Sequence, residues 1–185
     1  MDPPLATLTQ VSTGAEMSRT NLEQELERLH PAAFGWALAC CEGDRVAAED
    51  ALQATYLKIL DGRARFEGRS SLRTWVFGVL RWTAAEEDRR GGRRRWRPLS
   101  LVESWPATGS DRHRPDAELL RSEDSRRLRE ALDTLPARQR QVLHLVFYQD
   151  LTIAEAAEVL GVRLGTARTH YERGKAALRR LLEGT

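Results

Sequence analysis

Two stretches carry residues whose types and spacing suit chemistry on a polyanion. In Arg69–Trp82 (RSSLRTWVFGVLRW), Arg69, Arg73 and Arg81 are interleaved with Trp75, Phe77 and Trp82. Guanidinium groups neutralise phosphates and flat rings stack on unpaired bases, so this pattern suits a single-stranded nucleic acid. Between Arg163 and Arg180 six basic residues (Arg163, Arg168, Arg173, Lys175, Arg179, Arg180) face one acid, Glu172. A basic helix after a tight turn is what a major groove accepts. The plainer readings are that helical Trp and Phe belong to a core and that a basic face is only solvated. No catalytic constellation is expected: Ser70 and Ser71 stand at a helix start rather than beside a base. His113 has no ligand set around it. The adjacent Cys40 and Cys41 have neither the spacing of a zinc site nor that of a disulfide framework, so neither metal nor cofactor is expected.

The elements that must position these groups read as helices throughout. Thr152 with Glu155 makes a capping box at a helix start, followed by Ile153, Ala156, Ala157 and Leu160 on one face. Gly161 suits the reversal after that helix, and Val162 the corner. A second helix is predicted from about Thr166, with Ala167, Tyr171, Ala177, Leu178 and Leu181 inward. Helix, glycine turn and basic helix form a helix-turn-helix pattern. Upstream, 116–134 reads as a helix with Leu119, Leu120, Leu128, Ala131 and Leu132 as its stripe. Pro136 suits the first turn of the next helix, whose Val142, Leu143, Leu145 and Val146 form a buried scaffold. In the N-terminal half, 21–60 reads as two helices joined near Gly43, with Asp44 as N-cap and Pro31 as either a new start or a kink. Ser70 or Ser71 caps a third helix, with Leu72, Val76, Val79 and Leu80 on its apolar side.

No strand-like alternation of useful length appears, so the expected fold is all-α, two helical domains joined by a flexible linker. The predicted divisions are a flexible tail at 1–20, a helical domain at 21–96, a linker at 97–117 and a helix-turn-helix domain at 118–185. The linker is rich in Pro, Ser and Gly, and the roughly 25 residues from Trp96 to Arg121 can span up to ~80 Å, against about 70 Å for two turns of DNA. No apolar run approaches the ~18 residues of a membrane span, and no secretory signal is visible. A cytoplasmic protein without membrane insertion is expected. The net charge of +2 conceals segregation: residues 1–62 carry −6, residues 63–97 carry +7 and residues 98–185 carry +1. One surface for a polyanion and another for a protein partner would produce it. The run Arg89–Arg97, with six arginines around a Gly pair, strengthens the polyanion reading.

In order along the chain stand Ala48-Glu-Asp-Ala-Leu-Gln-Ala-Thr-Tyr-Leu-Lys, Phe66-Glu-Gly-Arg-Ser-Ser-Leu-Arg-Thr-Trp-Val-Phe, Leu132-Asp-Thr-Leu-Pro-Ala-Arg-Gln-Arg-Gln-Val-Leu, and Thr152-Ile-Ala-Glu-Ala-Ala-Glu-Val-Leu-Gly-Val with Gly165-Thr-Ala-Arg-Thr. Together they resemble the extracytoplasmic-function (ECF) group of bacterial RNA polymerase sigma factors of the sigma-70 family, over roughly residues 22–183. The resemblance implies a region 2 helical bundle and a C-terminal region 4 helix-turn-helix. It implies core polymerase as partner (clamp of the largest subunit, flap of the second), promoter DNA as ligand and an anti-sigma protein as regulator. Asp50, Gln53, Tyr56 and Lys58 would dock on the clamp. Arg69, Ser71, Arg73, Trp75, Arg81 and Trp82 would open the −10 element and hold its strand. Arg163, Thr166, Arg168, Thr169, Tyr171, Arg173 and Lys175 would meet the −35 duplex. Three positions depart from the family pattern. Trp82 stands where an Asn is usual, Arg163 replaces a small capping residue, and Gly174 interrupts the recognition helix. The competing expectation is a stand-alone helix-turn-helix regulator that never touches polymerase, which leaves the 50–81 block unexplained.

Overall fold

The computed structural model describes residues 18–90, 123 and 126–183. Regular structure among them is entirely helical: α1 (Arg19–Cys40), α2 (Arg45–Leu60), α3 (Leu72–Arg90), α4 over 126–133, α5 (Ala137–Phe147), α6 (Ile153–Leu160) and α7 (Leu164–Glu183). The expected linker at 97–117, the 93–97 arginines, His113 and most of the N-terminal tail lie outside the described residues.

Local chemistry sets the helix starts. The Ser18 side chain accepts from the Asn21 N–H, so α1 begins inside the stretch read as a tail. It runs on through Pro31 without interruption. Asp44 caps α2 at the Ala47 N–H, 3.1 Å away, and Ser71 caps α3 at the Thr74 N–H, also 3.1 Å. Thr152 and Glu155 complete their reciprocal box, and Gly161 ends α6 at φ +60°, a left-handed conformation that costs glycine nothing. The recognition helix starts at Leu164, two residues before the sequence indicated, with Arg163 as the flanking residue whose carbonyl accepts the first bonds.

Trp36 is the centre of the N-terminal bundle. It is fully buried, and its indole N–H donates to the Phe77 carbonyl at 3.0 Å, tying α1 to α3. Ala48 and Ala51 are fully buried on α2, letting its backbone approach α1 closely. Phe77, read among the base-facing aromatics, is core. Cys40 and Cys41 close α1 as free thiols. Burial pushes both upward, Cys41 to about 12, so both are protonated and poor nucleophiles.

The C-terminal helices do not stand apart from this bundle. Val142, Leu145, Leu151, Ala156, Val159 and Leu160 belong to the same continuous core as Trp36, Phe77 and Leu80. A smaller cluster of Leu132, Leu135 and Leu143, with Leu128, Ala177 and Leu178 against it, holds α4, α5 and α7 together. Gly174 sits where α7 crosses α5: an added Cβ would lie 3.0 Å from Leu143 Cδ1 and 3.2 Å from Gln139 Cβ. The glycine that interrupts the recognition helix is therefore demanded by helix packing. Leu181, expected inward, is exposed instead.

Candidate nucleic-acid interface

The loop 61–71 and α3 form one wall of a cleft of about 770 Å³ lined by Lys58, Arg65, Phe66, Arg69, Trp75, Arg81 and Trp82. The Phe66 and Trp75 rings meet at 5.4 Å in a tilted pair, with Trp75 half-buried against the core. Trp82 is 55% exposed, and the Lys58 ammonium lies 4.5 Å from its ring centroid. Lys58 is itself held by Glu86 at 2.7 Å and Thr83 at 3.2 Å, so the cation that fixes the indole is fixed in turn. Such a platform is what stacking on an unpaired base needs. Arg69 is exposed and pairs with Glu67 at 2.8 Å. Ser71 spends its hydroxyl on the helix cap and on Thr74.

Arg73 and Arg81 are half-buried. Arg73 lies over the Phe77 ring at 5.5 Å and donates to Gln149 Oε1 at 3.0 Å. The Arg81 guanidinium reaches the turn at Gly161, and burial together with the neighbouring Arg138 lowers its pKa. The opposite wall of the cleft is Glu158, Val159 and Gly161 from α6.

On α7 the buried line is Ala167 and Gly174, with Tyr171, Ala177 and Leu178 half-buried. The opposite half presents Thr166, Arg168, Thr169, Arg173 and Lys175 to solvent, with Arg163 just before it. Arg168, Thr169 and Thr166 lie in the first turns, the end that reaches base edges in helix-turn-helix proteins. The Thr169 hydroxyl donates back to the Gly165 carbonyl at 2.9 Å. Tyr171 sits at the edge rather than on the exposed face, its ring 5.9 Å from Phe147 and under Lys175 at 5.2 Å.

Of the four residues expected to meet polymerase, Asp50 and Gln53 are exposed on the outer side of α2. Tyr56 is half-buried beside His30, its hydroxyl 3.3 Å from Nδ1, and burial pushes it up to about 12. Lys58 points the other way, into α3. Sequence reasoning missed Val46 (63% exposed) and Leu57 (51%), which complete the outer stripe 46–50–53–57. Their i, i+4, i+7, i+11 spacing was the available signal. It also missed Gln149, for which no local signal exists because its partners are distant in sequence.

Helices α1–α3 with an arginine–aromatic cleft, followed by a capped helix-turn-helix with a basic second helix, define a DNA-engaging all-α protein of two modules. Models of sigma-70 region 2 and sigma-70 region 4 match residues 26–94 and 125–178. The chain is 33% identical over 133 residues to RNA polymerase sigma factor YlaC of Bacillus subtilis, covering 72% of this chain and 76% of that one. It is 32% identical over 141 residues to the ECF sigma factor SigX of the same organism (76% and 73%). Among solved structures it superposes on the sigma factor RpoE of Bartonella quintana, crystallised with the anti-sigma factor NepR, with a TM-score of 0.65 and 25% identity over 89% of this chain and 98% of that one. The fold is shared with CnrH, solved with the cytosolic domain of CnrY, at a TM-score of 0.58 and 20% identity. The chain belongs to the sigma-70 family of RNA polymerase sigma factors, and within it to the ECF group. No described helix is long and apolar enough to cross a membrane.

Proposed function

We propose that this sigma factor docks on core RNA polymerase through the outer stripe of α2 and directs promoter-specific initiation by dividing DNA recognition between its modules. The arginine–aromatic cleft beside α3 grips the −10 strand once the base pairs part. The exposed half of α7 reads the −35 duplex from the major groove. The observation that carries this reading is the pairing of a partly exposed aromatic cleft with a separate solvent-facing basic helix. A duplex is readable by an inserted helix, whereas a melted strand must be held by stacking after an unstacking cost of a few kcal/mol. Of the −10 set, Arg69, Trp75 and Trp82 face the cleft, with Arg73 and Arg81 along its α6 side and Ser71 shaping the helix start. Of the polymerase set, Asp50 and Gln53 make the contact, with Val46 and Leu57 as its apolar part. Tyr56 and Lys58 brace the stripe from within. The exposed Leu181 and Leu182 offer an apolar end of α7 to the flap of the second subunit. An anti-sigma protein regulates the factor, a reading supported by the relative solved in complex with the anti-sigma factor NepR. A stand-alone regulator would have no use for the α2 stripe.

Trp75→Ala tests the division. With core polymerase, permanganate reactivity at the −10 thymines falls while binding to the closed duplex stays near wild type. Unchanged reactivity, or an equal loss of duplex binding, refutes it.

A further inference from the structure

Lys58 crosses from α2 to three residues of one stretch of α3. Its ammonium donates to Glu86 Oε2 at 2.7 Å and to Thr83 Oγ1 at 3.2 Å, and the Trp82 ring centroid lies 4.5 Å from the same nitrogen. An ammonium carries three donors. Two are committed to α3, and the remaining side of the charge faces the indole. The Lys58 and Glu86 side chains are only 15% and 20% exposed. Such a pair gives up hydration to form, and apolar residues of the same size would join two helices as well or better. What the pair supplies instead is geometry: one fixed orientation for a large ring that is itself 55% exposed. A free indole on a helix surface samples several rotamers, and ordering it at the moment of binding costs affinity. Here the ordering is completed on folding.

Trp82 has a counterpart on the same face. Trp75 stands seven positions earlier on α3, two turns and about 10.5 Å along the axis. Both indoles line the cleft, and so does Gly78 between them. Nothing stands within 4 Å of the place a Gly78 Cβ would occupy. Glycine inside a helix is unfavourable against alanine, and here no packing demands it, so its effect is to keep the floor between the two rings low. The separation of about 10.5 Å equals about three steps of a strand at 3.4 Å each. The two rings therefore meet bases that are not neighbours. We infer that Trp82 is a second base station, distinct from the Phe66–Trp75 pair, and that Lys58, braced by Glu86, is its positioning residue. The ligand is one unpaired base of a single strand, stacked on the indole face that the ammonium does not cover. This rests on the reading of α3 as the −10 surface, and it assigns Lys58 to the DNA side of α2. Trp82 replaces the family's usual Asn, so the second station is a property of this chain.

The test is an abasic scan with holoenzyme assembled from core polymerase and the full chain. The probes are short dye-labelled single strands carrying the non-template −10 sequence of a fragment transcribed in run-off assays, each with one base removed. Wild type is expected to show two sensitive positions about three nucleotides apart, each removal weakening binding roughly 5- to 100-fold, the worth of one base on one ring. Trp82→Ala should abolish the sensitivity at one of them and keep the other, and Trp75→Ala should do the reverse. Lys58→Met should reduce the penalty at the Trp82 position by roughly 2- to 5-fold, the worth of a cation held over a ring. The full penalty kept at the Trp75 position shows that this variant is folded. Lys58→Arg, which keeps a cation over the ring and a partner for Glu86, should restore the wild-type scan. A scan with a single sensitive position, or a Trp82→Ala scan that retains both, overturns the second station. A Lys58→Met scan identical with wild type, or one weakened equally at every position, overturns the positioning role. A wild-type holoenzyme that binds the −10 strand no better than a scrambled one sinks the −10 reading and this inference with it, a result plainly separable from the loss of one position.

Discussion

Replacing Gly174 with Ala pits two effects against each other within one helix. In an isolated helix the change is favourable by about 0.8–1 kcal/mol, because glycine gives up more backbone freedom. In this protein the new methyl would stand 3.0 Å from Leu143 Cδ1, 3.3 Å from its Cγ and 3.2 Å from Gln139 Cβ. Leu143 is 1% exposed, and the Gln139 Cβ moves only if α5 moves. Overpacking of this kind costs about 1–3 kcal/mol, so against the propensity gain the net result is a destabilisation of up to about 2 kcal/mol. Gly78, midway along α3 with nothing within 4 Å of its Cβ position, supplies the control: Gly78→Ala should stabilise by up to about 1 kcal/mol. Urea unfolding of both variants, followed by helical circular dichroism, measures the pair. Opposite signs are expected. A stabilised Gly174→Ala variant would show that α5 and α7 are not packed as described, and with them the presentation of the recognition helix would fall.

Burial depresses the His144 pKa to about 3 from the ordinary 6.5. The unfolded chain therefore takes up a proton below pH 6.5 that the folded one refuses, and stability falls as pH drops from 6.5 toward 3. Down to pH 5 the loss is about 2 kcal/mol. His144→Phe, which keeps the ring between Trp36 and Tyr148, should flatten that part of the profile. Lys58→Met should lower the stability of the N-terminal bundle, since Lys58 is 15% exposed and tied to Glu86. Asp50→Ala together with Gln53→Ala should leave the melting temperature unchanged and weaken co-purification with core polymerase. Arg168→Ala should cost about 1–3 kcal/mol on the cognate −35 sequence if it reads a base, measured by titration against cognate and scrambled duplexes. Equal losses on both would make it a phosphate contact.

The helix inventory was legible because its signals are local. Asp44, Ser71, Thr152–Glu155 and Gly161 announce helix boundaries through bonds made within four residues of themselves, and the structure places each where the spacing indicated. The inward line of α7 at Ala167, Tyr171, Ala177 and Leu178 followed from the same periodicity, Leu181 excepted. What the sequence concealed was long-range. Nothing near Lys58 reveals that its ammonium turns toward Glu86 and Trp82 rather than toward a partner. Nothing near Gln149 marks it as the bridge between Ala32 and Arg73, which lie 117 and 76 residues away. Gly174 looked like a flaw in a helix because its reason is a neighbouring helix. Charge segregation reported that two surfaces exist but not that α6 packs along α3.

The central claim is that this chain gives core polymerase its choice of start site by gripping one strand at −10 and reading the duplex at −35. Run-off transcription of genomic fragments by core enzyme with and without the purified protein measures it most directly. Discrete transcripts that require the protein, and that vanish when the −10 or the −35 sequence upstream of the start is scrambled, are predicted. Transcripts that are the same with and without it would contradict the account.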